Sequence, residues 1–160
     1  MSTAYLGLGS NVDAHAHIAA GIAALREAFS TLRLSPAYLS TSVGFDGADF
    51  INLVAEIETE LQPTELKNFL NDLEDRQGRL RNVPKFSDRT LDIDILLYDD
   101  LYLLSPVLKI PRAEIMKFAH VLKPLADLAP GLVHPIIRKT IAEIWQAYPG
   151  NRTGLRKIEL

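Results

Sequence analysis

Asp92 and Asp94 are the residues in this sequence best placed to do chemistry. They lie in Arg89-Thr90-Leu91-Asp92-Ile93-Asp94-Ile95-Leu96-Leu97-Tyr98, where apolar residues at Leu91, Ile93, Ile95 and Leu97 mark a half-buried β-strand. Residues two apart on a strand share a face with Cα atoms roughly 7 Å apart, so both carboxylates aim at one small volume. At about 5 Å and an effective dielectric near 20 they repel by roughly 3 kcal/mol, so a cation is expected between them. Alone, such a pair is more often the solvent side of an ordinary strand.

Its neighbours change that reading. Arg79, Arg81, Lys85 and Arg89 put four cations within eleven residues directly ahead of the strand, and Glu74 lies one turn upstream. Basic loops are common as solvated surface. An acid pair beside a basic loop is also what a polyphosphate with magnesium demands: carboxylate oxygens hold the hard cation, and guanidinium groups take phosphate oxygens in pairs. The sequence has no Walker loop and no G-x-G-x-x-G, so no glycine-rich cradle would hold a nucleotide. Nucleotidyl transferases pair a Gly-Ser with a D-x-D close in sequence, whereas about eighty residues separate Gly9-Ser10 from Asp92 here. Ser10 has no His and acid placed beside it, so it is not a credible nucleophile.

The elements that must position these residues are readable from periodicity. Ala4 to Gly9 reads as a first strand stopped by Gly9-Ser10-Asn11, and Asp13 or Asn11 can cap a helix with its apolar stripe at Ile18, Ile22, Leu25 and Phe29. His15 and His17 sit two apart in its first turn, which reads as exposed histidines and not a metal pair. Leu32 to Val43 reads as a second strand, weakened at Pro36 into an edge or a bulge. Residues 44 to 49 form a loop. Phe50 to Glu60 is a third strand with one buried face, at Ile51, Leu53, Ala55 and Ile57, expected to pair with the second as a hairpin. Pro63 opens a second helix striped by Leu66, Phe69, Leu70 and Leu73, and Gly78 stops it. Beyond the Asp92 strand, Leu101 to Leu104 reads as a short returning strand and Arg112 to Ala129 as helix broken near Pro124. Thr140 caps a last helix through Trp145, and Leu155 to Leu160 is an edge strand or a disordered tail. The order β-α-β-β-α-β predicts an α+β, ferredoxin-like sandwich with an antiparallel sheet, both helices on one face, and extra helices C-terminal to it. The loops at 44 to 49 and 79 to 88 would flank the face those helices leave open, as mobile segments that close over substrates.

Composition narrows the classes. A chain of 160 residues, 48% apolar and 23% charged, fits one globular domain over 1–160. A net charge of −3 gives no electrostatic case for nucleic acid, and the absence of cysteine excludes disulfides and thiolate metal sites. No apolar run is long enough to span a membrane, and the N-terminus lacks a signal-peptide pattern, so a cytoplasmic protein is expected.

Taken together, these residues resemble the 6-hydroxymethyl-7,8-dihydropterin pyrophosphokinases, folate-pathway enzymes that move a pyrophosphoryl group from ATP to the pterin hydroxymethyl oxygen and release AMP. Ala4-Tyr5-Leu6-Gly7-Leu8-Gly9-Ser10-Asn11 is similar to that family's opening strand, and Asp49-Phe50-Ile51-Asn52 to its D-[FY]-[LI]-N segment. Glu74 with Gln77-Gly78-Arg79-Leu80-Arg81 resembles the approach to its catalytic loop, and Arg89-Thr90-Leu91-Asp92-Ile93-Asp94 its signature. Leu122 to Pro130 and Val133-His134-Pro135 resemble its C-terminal half.

The resemblance implies that Asp92 and Asp94 hold two Mg²⁺ ions, and that Arg79, Arg81 and Arg89 serve catalysis with them. ATP would be bound by Glu74, Asn71, Arg81, Arg89, Ile95, Lys109 and Arg112. The reduced pterin would be bound by Thr41, Val43, Phe50, Asn52, Phe86 and His120, with Asn52 reading its amide edge. It also implies a monomer acting on small molecules. The chain departs from the family in two places. Ser87-Asp88 stands where the family has Gly-Pro, and Arg112, Phe118 and His120 stand where it has His, Arg and Phe. Rival readings are a paralogue acting on a modified pterin, or a silent module that binds ATP or pterin without turnover.

Overall fold

A computed structural model of the chain describes every residue except Val43, Leu80, Arg81, Asn82 and Lys85. Its main sheet is antiparallel and is built around β1 (Ser2–Ser10), which has β5 (Asp92–Tyr98) on one side and β4 (Phe50–Thr59) on the other. Beyond β4 lie β2 (Leu32–Leu34) and β3 (Ala37–Ser40), and β8 (Arg156–Ile158) forms the outer edge against β3. The tail is therefore the edge strand of its two expected forms. Proline divides the expected second strand: Ser35 separates β2 from β3, and its hydroxyl accepts the Val54 N–H at 2.8 Å, replacing a ladder bond where the backbone turns.

Helices α1 (Ala14–Ala28) and α2 (Pro63–Arg76) pack on one face through alternate residues, Leu6 and Leu8 of β1, Leu53 and Ile57 of β4, Ile93 and Ile95 of β5. Ile18 and Leu25 of α1 meet Leu66, Leu70 and Leu73 of α2 in this core. Burying each such side chain contributes about 2 kcal/mol, which is what fixes the register of the strands beneath. Neither expected cap forms on α1: Asp13 precedes the helix with φ 46° and no side-chain cap bond, and the Asn11 amide is committed to Ala48 and Asp88.

The opposite face is not left open along its whole length. Helices α4 (Ala119–Leu128) and α5 (Ile141–Gln146) cover one end of it, burying Val54, Leu96, Leu97, Leu122, Leu125 and Ile144 in a second core. Val54 is thus buried on the face of β4 expected to be exposed. In β5 the strict alternation also fails: Leu6 pairs with Ile95 but Tyr5 with Leu97, so Leu96 is an extra residue in the ladder. Leu96 and Leu97 both reach the second core and Tyr98 falls back into the first, which corrects the placement of Leu97 with Ile93 and Ile95.

Two further expectations change. Leu103–Leu104 is a short strand, β6, that pairs with β7 (Lys109–Ile110) in a separate ribbon. The C-terminal helical stretch breaks at Phe118, between α3 (Glu114–Lys117) and α4, while Pro124 lies inside α4. Thr140 caps α5 as expected, accepting the Glu143 N–H while Glu143 accepts the Thr140 N–H. Among the described residues no helix is long and apolar enough to cross a membrane.

Candidate active site

The second face of the sheet is bare where β1 carries glycine. Gly7 lies opposite Asp94 on one side and Val54 on the other, and Gly9 opposite Asp92 and Asn52. Two glycines at i and i+2 remove two side chains from one face, leaving the floor of a cleft of about 340 Å³. The aspartates rise from one side of that floor and Asn52 from the other. Gly9 is held to glycine by close approach: a Cβ there would stand 2.8 Å from Asn52 Oδ1. The alternation Gly7-Leu8-Gly9 is the sequence signal of this floor, and Gly9 belongs to the strand as well as to the turn that follows it.

The basic side of the cleft is set by the end of α2. Gly78 takes φ 83°, a conformation that strains any side chain, and turns the chain so that the Arg79 N–H returns to the Glu74 carbonyl at 3.2 Å. The Arg79 guanidinium then donates to Asp92 Oδ1 at 2.7 Å, Glu74 Oε2 at 3.3 Å and the Leu91 carbonyl at 3.4 Å. Glu74 is only 3% exposed and also accepts the Ile93 N–H at 2.8 Å, so it ties α2 to β5. Burial opposes the Arg79 charge, but Asp92, Glu74 and Asp94 outweigh it and raise its pKa. Arg112 bonds Glu114 and lies 3.8 Å from Asp94; there too burial is outweighed, by Asp94 and Glu114, and its pKa rises. Arg89 bonds Ser87 and the carbonyls of Asp88 and Pro84; burial first, then Arg79, lowers its pKa.

The Asp94 carboxyl is pushed up to about 7, by loss of solvation first and then by the Asp92 charge, with Arg112 pulling the other way. The two acids therefore share the repulsion expected from their spacing. Both side chains remain partly open to the cleft. Two hard oxygen donors under mutual repulsion fit a divalent cation such as Mg²⁺, and they would leave its remaining positions to phosphate oxygens and water. Among the described residues no cluster of three His, Cys, Asp or Glu forms.

The other wall is aromatic. Phe86, Phe50, Phe45, Phe118 and His120 line the cleft with Thr41 and Asn52. Phe118 and His120 stack on one another at 5.1 Å, and burial lowers the His120 pKa, favouring the neutral ring. The Asn52 amide is oriented by donating to Ser40 Oγ at 3.1 Å.

Of the residues expected at the site, Arg79, Arg89, Asp92, Asp94, Arg112, Thr41, Phe50, Asn52, Phe86 and His120 line this one cleft. Glu74 does not; it is buried behind Arg79 as a positioning group. Ile95 faces the first core, Lys109 is exposed on β7, and Asn71, on α2, is not among the lining residues. Val43 and Arg81 fall outside the described residues. Glu114 and Lys117, which also line the cleft, were not singled out from sequence, because an acid and a lysine on a four-residue helix carry no pattern of their own.

A central antiparallel sheet thus brings an acid pair, a basic end and an aromatic wall into one cleft. Residues 5–130 match the family described as 7,8-dihydro-6-hydroxymethylpterin-pyrophosphokinase, and the chain belongs to that family. It is 37% identical over 145 residues to the 2-amino-4-hydroxy-6-hydroxymethyldihydropteridine pyrophosphokinase of Aquifex aeolicus, covering 89% of this chain and 90% of that one. To the enzyme of the same name from Pseudomonas aeruginosa it is 40% identical over 135 residues, covering 82% and 83%. Among solved structures it resembles the Plasmodium falciparum HPPK-DHPS protein with pteroate, with a TM-score of 0.74 at 13% identity. That likeness covers 92% of this chain but 44% of the longer one, and it speaks for the fold alone.

Proposed function

We propose that this chain transfers the pyrophosphoryl group of ATP to the hydroxymethyl oxygen of 6-hydroxymethyl-7,8-dihydropterin, releasing AMP, with Asp92 and Asp94 as the ligands of two Mg²⁺ ions. The observation that carries the reading is the Gly7/Gly9 floor, which sets both aspartates and Asn52 around one cleft. The strand order β5-β1-β4-β3, with α1 and α2 on one face, supports a ferredoxin-like core, and the same reading has it act as a monomer on small molecules.

In this reading the aromatic wall sandwiches the pterin ring, Asn52 reads its amide edge, and Arg79, Arg89 and Arg112 neutralise phosphate oxygens. The substrate oxygen attacks the β-phosphorus, the bond from that phosphorus to the oxygen bridging to the α-phosphorus breaks, and AMP leaves with that oxygen as the hydroxyl proton is released. Bound Mg²⁺ supplies charge neutralisation at the transferring group. Arg81 belongs to the same reading through its place in the motif.

The test is purified protein with ATP, Mg²⁺ and the reduced hydroxymethylpterin, followed for AMP. No AMP with ATP still bound would overturn the reading in favour of a silent binding module. The Phe118–His120 stack in the aromatic wall favours a second reading in which a modified pterin is the better acceptor. AMP release that rises on changing the pterin would support it.

A further inference from the structure

Each aspartate in the cleft already has a guanidinium. Asp92 takes Arg79 at 2.7 Å, and Asp94 faces Arg112 at 3.8 Å. Neither arginine is well satisfied where it lies. Arg79 divides one terminal nitrogen among Asp92, Glu74 and the Leu91 carbonyl, and Arg112 is held between Asp94 and Glu114. The Nε atoms of both are buried without a hydrogen-bond partner. A guanidinium has a fork of donors suited to two oxygens at once, and a phosphate would use it better than this arrangement does.

We propose that Arg79 and Arg112 are a charge lock on Asp92 and Asp94: Arg79 takes the Asp92 oxygen that a divalent cation needs, Arg112 sets its charge beside Asp94, and both move off when a polyphosphate draws the guanidinium groups away. The inference rests on the reading of the two aspartates as metal ligands. Its consequence is that the protein without nucleotide binds a divalent cation weakly, and that phosphate and cation each favour binding of the other, as linkage requires. Glu74 and Glu114 set the strength of the lock. Glu74 is buried and pinned by the Ile93 N–H, so it keeps Arg79 within reach of Asp92. Glu114, on α3, competes with Asp94 for Arg112.

Loss of any positive charge nearby would also favour a cation, so the experiment must separate contact from field. Lys117 lines the same cleft and, among the described residues, forms no ion pair with either aspartate. Mn²⁺ binding to the full chain without nucleotide, followed by electron paramagnetic resonance, should tighten about tenfold in Arg79→Gln and in Arg112→Gln but less than about twofold in Lys117→Gln. Equal tightening in all three overturns the lock and leaves the metal reading standing. Mn²⁺ binding that is unchanged in Asp92→Asn and Asp94→Asn overturns both. Should the arginine variants fail to fold, the unmodified protein gives the answer by guanidinium ¹⁵N spectra. The Arg79 signal should shift when Mg²⁺ and tripolyphosphate are added together, and a signal that stays in place overturns the lock.

Discussion

The side-chain amide of Asn11 donates to Asp88 Oδ1 at 2.7 Å while its oxygen accepts the backbone N–H of Arg89 at 2.8 Å. The same amide donates to the Ala48 carbonyl at 3.0 Å, and the Asn11 N–H reaches the Arg89 carbonyl at 3.0 Å. One residue, 6% exposed, thus joins the end of β1 to both loops that border the cleft. Asp88 is a partner in this junction and not a stray charge in the cleft.

Asn11→Ala should therefore lower stability by about 2 kcal/mol, because it removes bonds from part-buried backbone groups that have no ready substitute. Urea denaturation checks this, and a loss within experimental scatter would mean that the junction is held by other contacts. Pterin and ATP affinity should weaken together, since both loops lose the same anchor.

Glu74→Gln separates position from charge. Glutamine can still accept the Ile93 N–H, but it no longer carries the charge that helps hold Arg79. The expected result is a fold destabilised by about 1 kcal/mol and a clearly lower rate, with little change in ATP affinity, because Glu74 does not line the cleft. Glu74→Ala, which also strands the Ile93 N–H, should cost about 2 to 3 kcal/mol in thermal or chemical unfolding.

The sequence made the site more legible than the fold around it. Asp92, Asp94 and Arg79 could be placed together because strand alternation and a helix stop are local rules. The displacement of Leu97 could not be seen, because Leu96 and Leu97 are both apolar and a bulge leaves no trace in an apolar run. The place of Glu74 in an ATP site rests on the resemblance alone: chain spacing puts it near the arginines, and the return of Arg79 past Gly78 shows that it faces inward. Pro124 reads locally as a helix break because of its missing N–H, whereas the burial of α4 against the sheet, which keeps it helical, is not a local fact.

His134 gives a prediction about pH. It is 4% exposed, and its Nδ1 accepts the N–H groups of Ile136 and Ile137, each at 3.2 Å, which only an unprotonated nitrogen can do. Burial pushes its pKa below the ordinary 6.5. The unfolded chain then binds the proton first, so His134 contributes stability that is fully present above about 6.5 and is lost as pH falls through its lower folded value. Urea midpoints should fall between pH 7.5 and pH 5. In His134→Asn, which keeps an acceptor and cannot titrate, the fall should be smaller. An equal fall in both proteins would assign it to other groups.

Gly9→Ala tests the floor of the cleft directly. The new Cβ would stand 2.8 Å from Asn52 Oδ1, so the Asn52 side chain must swing away and give up its bond to Ser40. Gly9 has no left-handed φ, so the backbone accepts alanine without strain, and the fold should survive with an unchanged unfolding midpoint. What should be lost is recognition of the pterin amide. Its dissociation constant, measured by calorimetry, should rise about tenfold, in proportion to one well-placed hydrogen-bonding group. ATP affinity should stay within about twofold, because the arginines lie across the cleft from Asn52. If ATP binding weakens as much as pterin binding, Asn52 is not the group that distinguishes the two substrates, and the division of the cleft into an acid and basic side and an aromatic side is wrong.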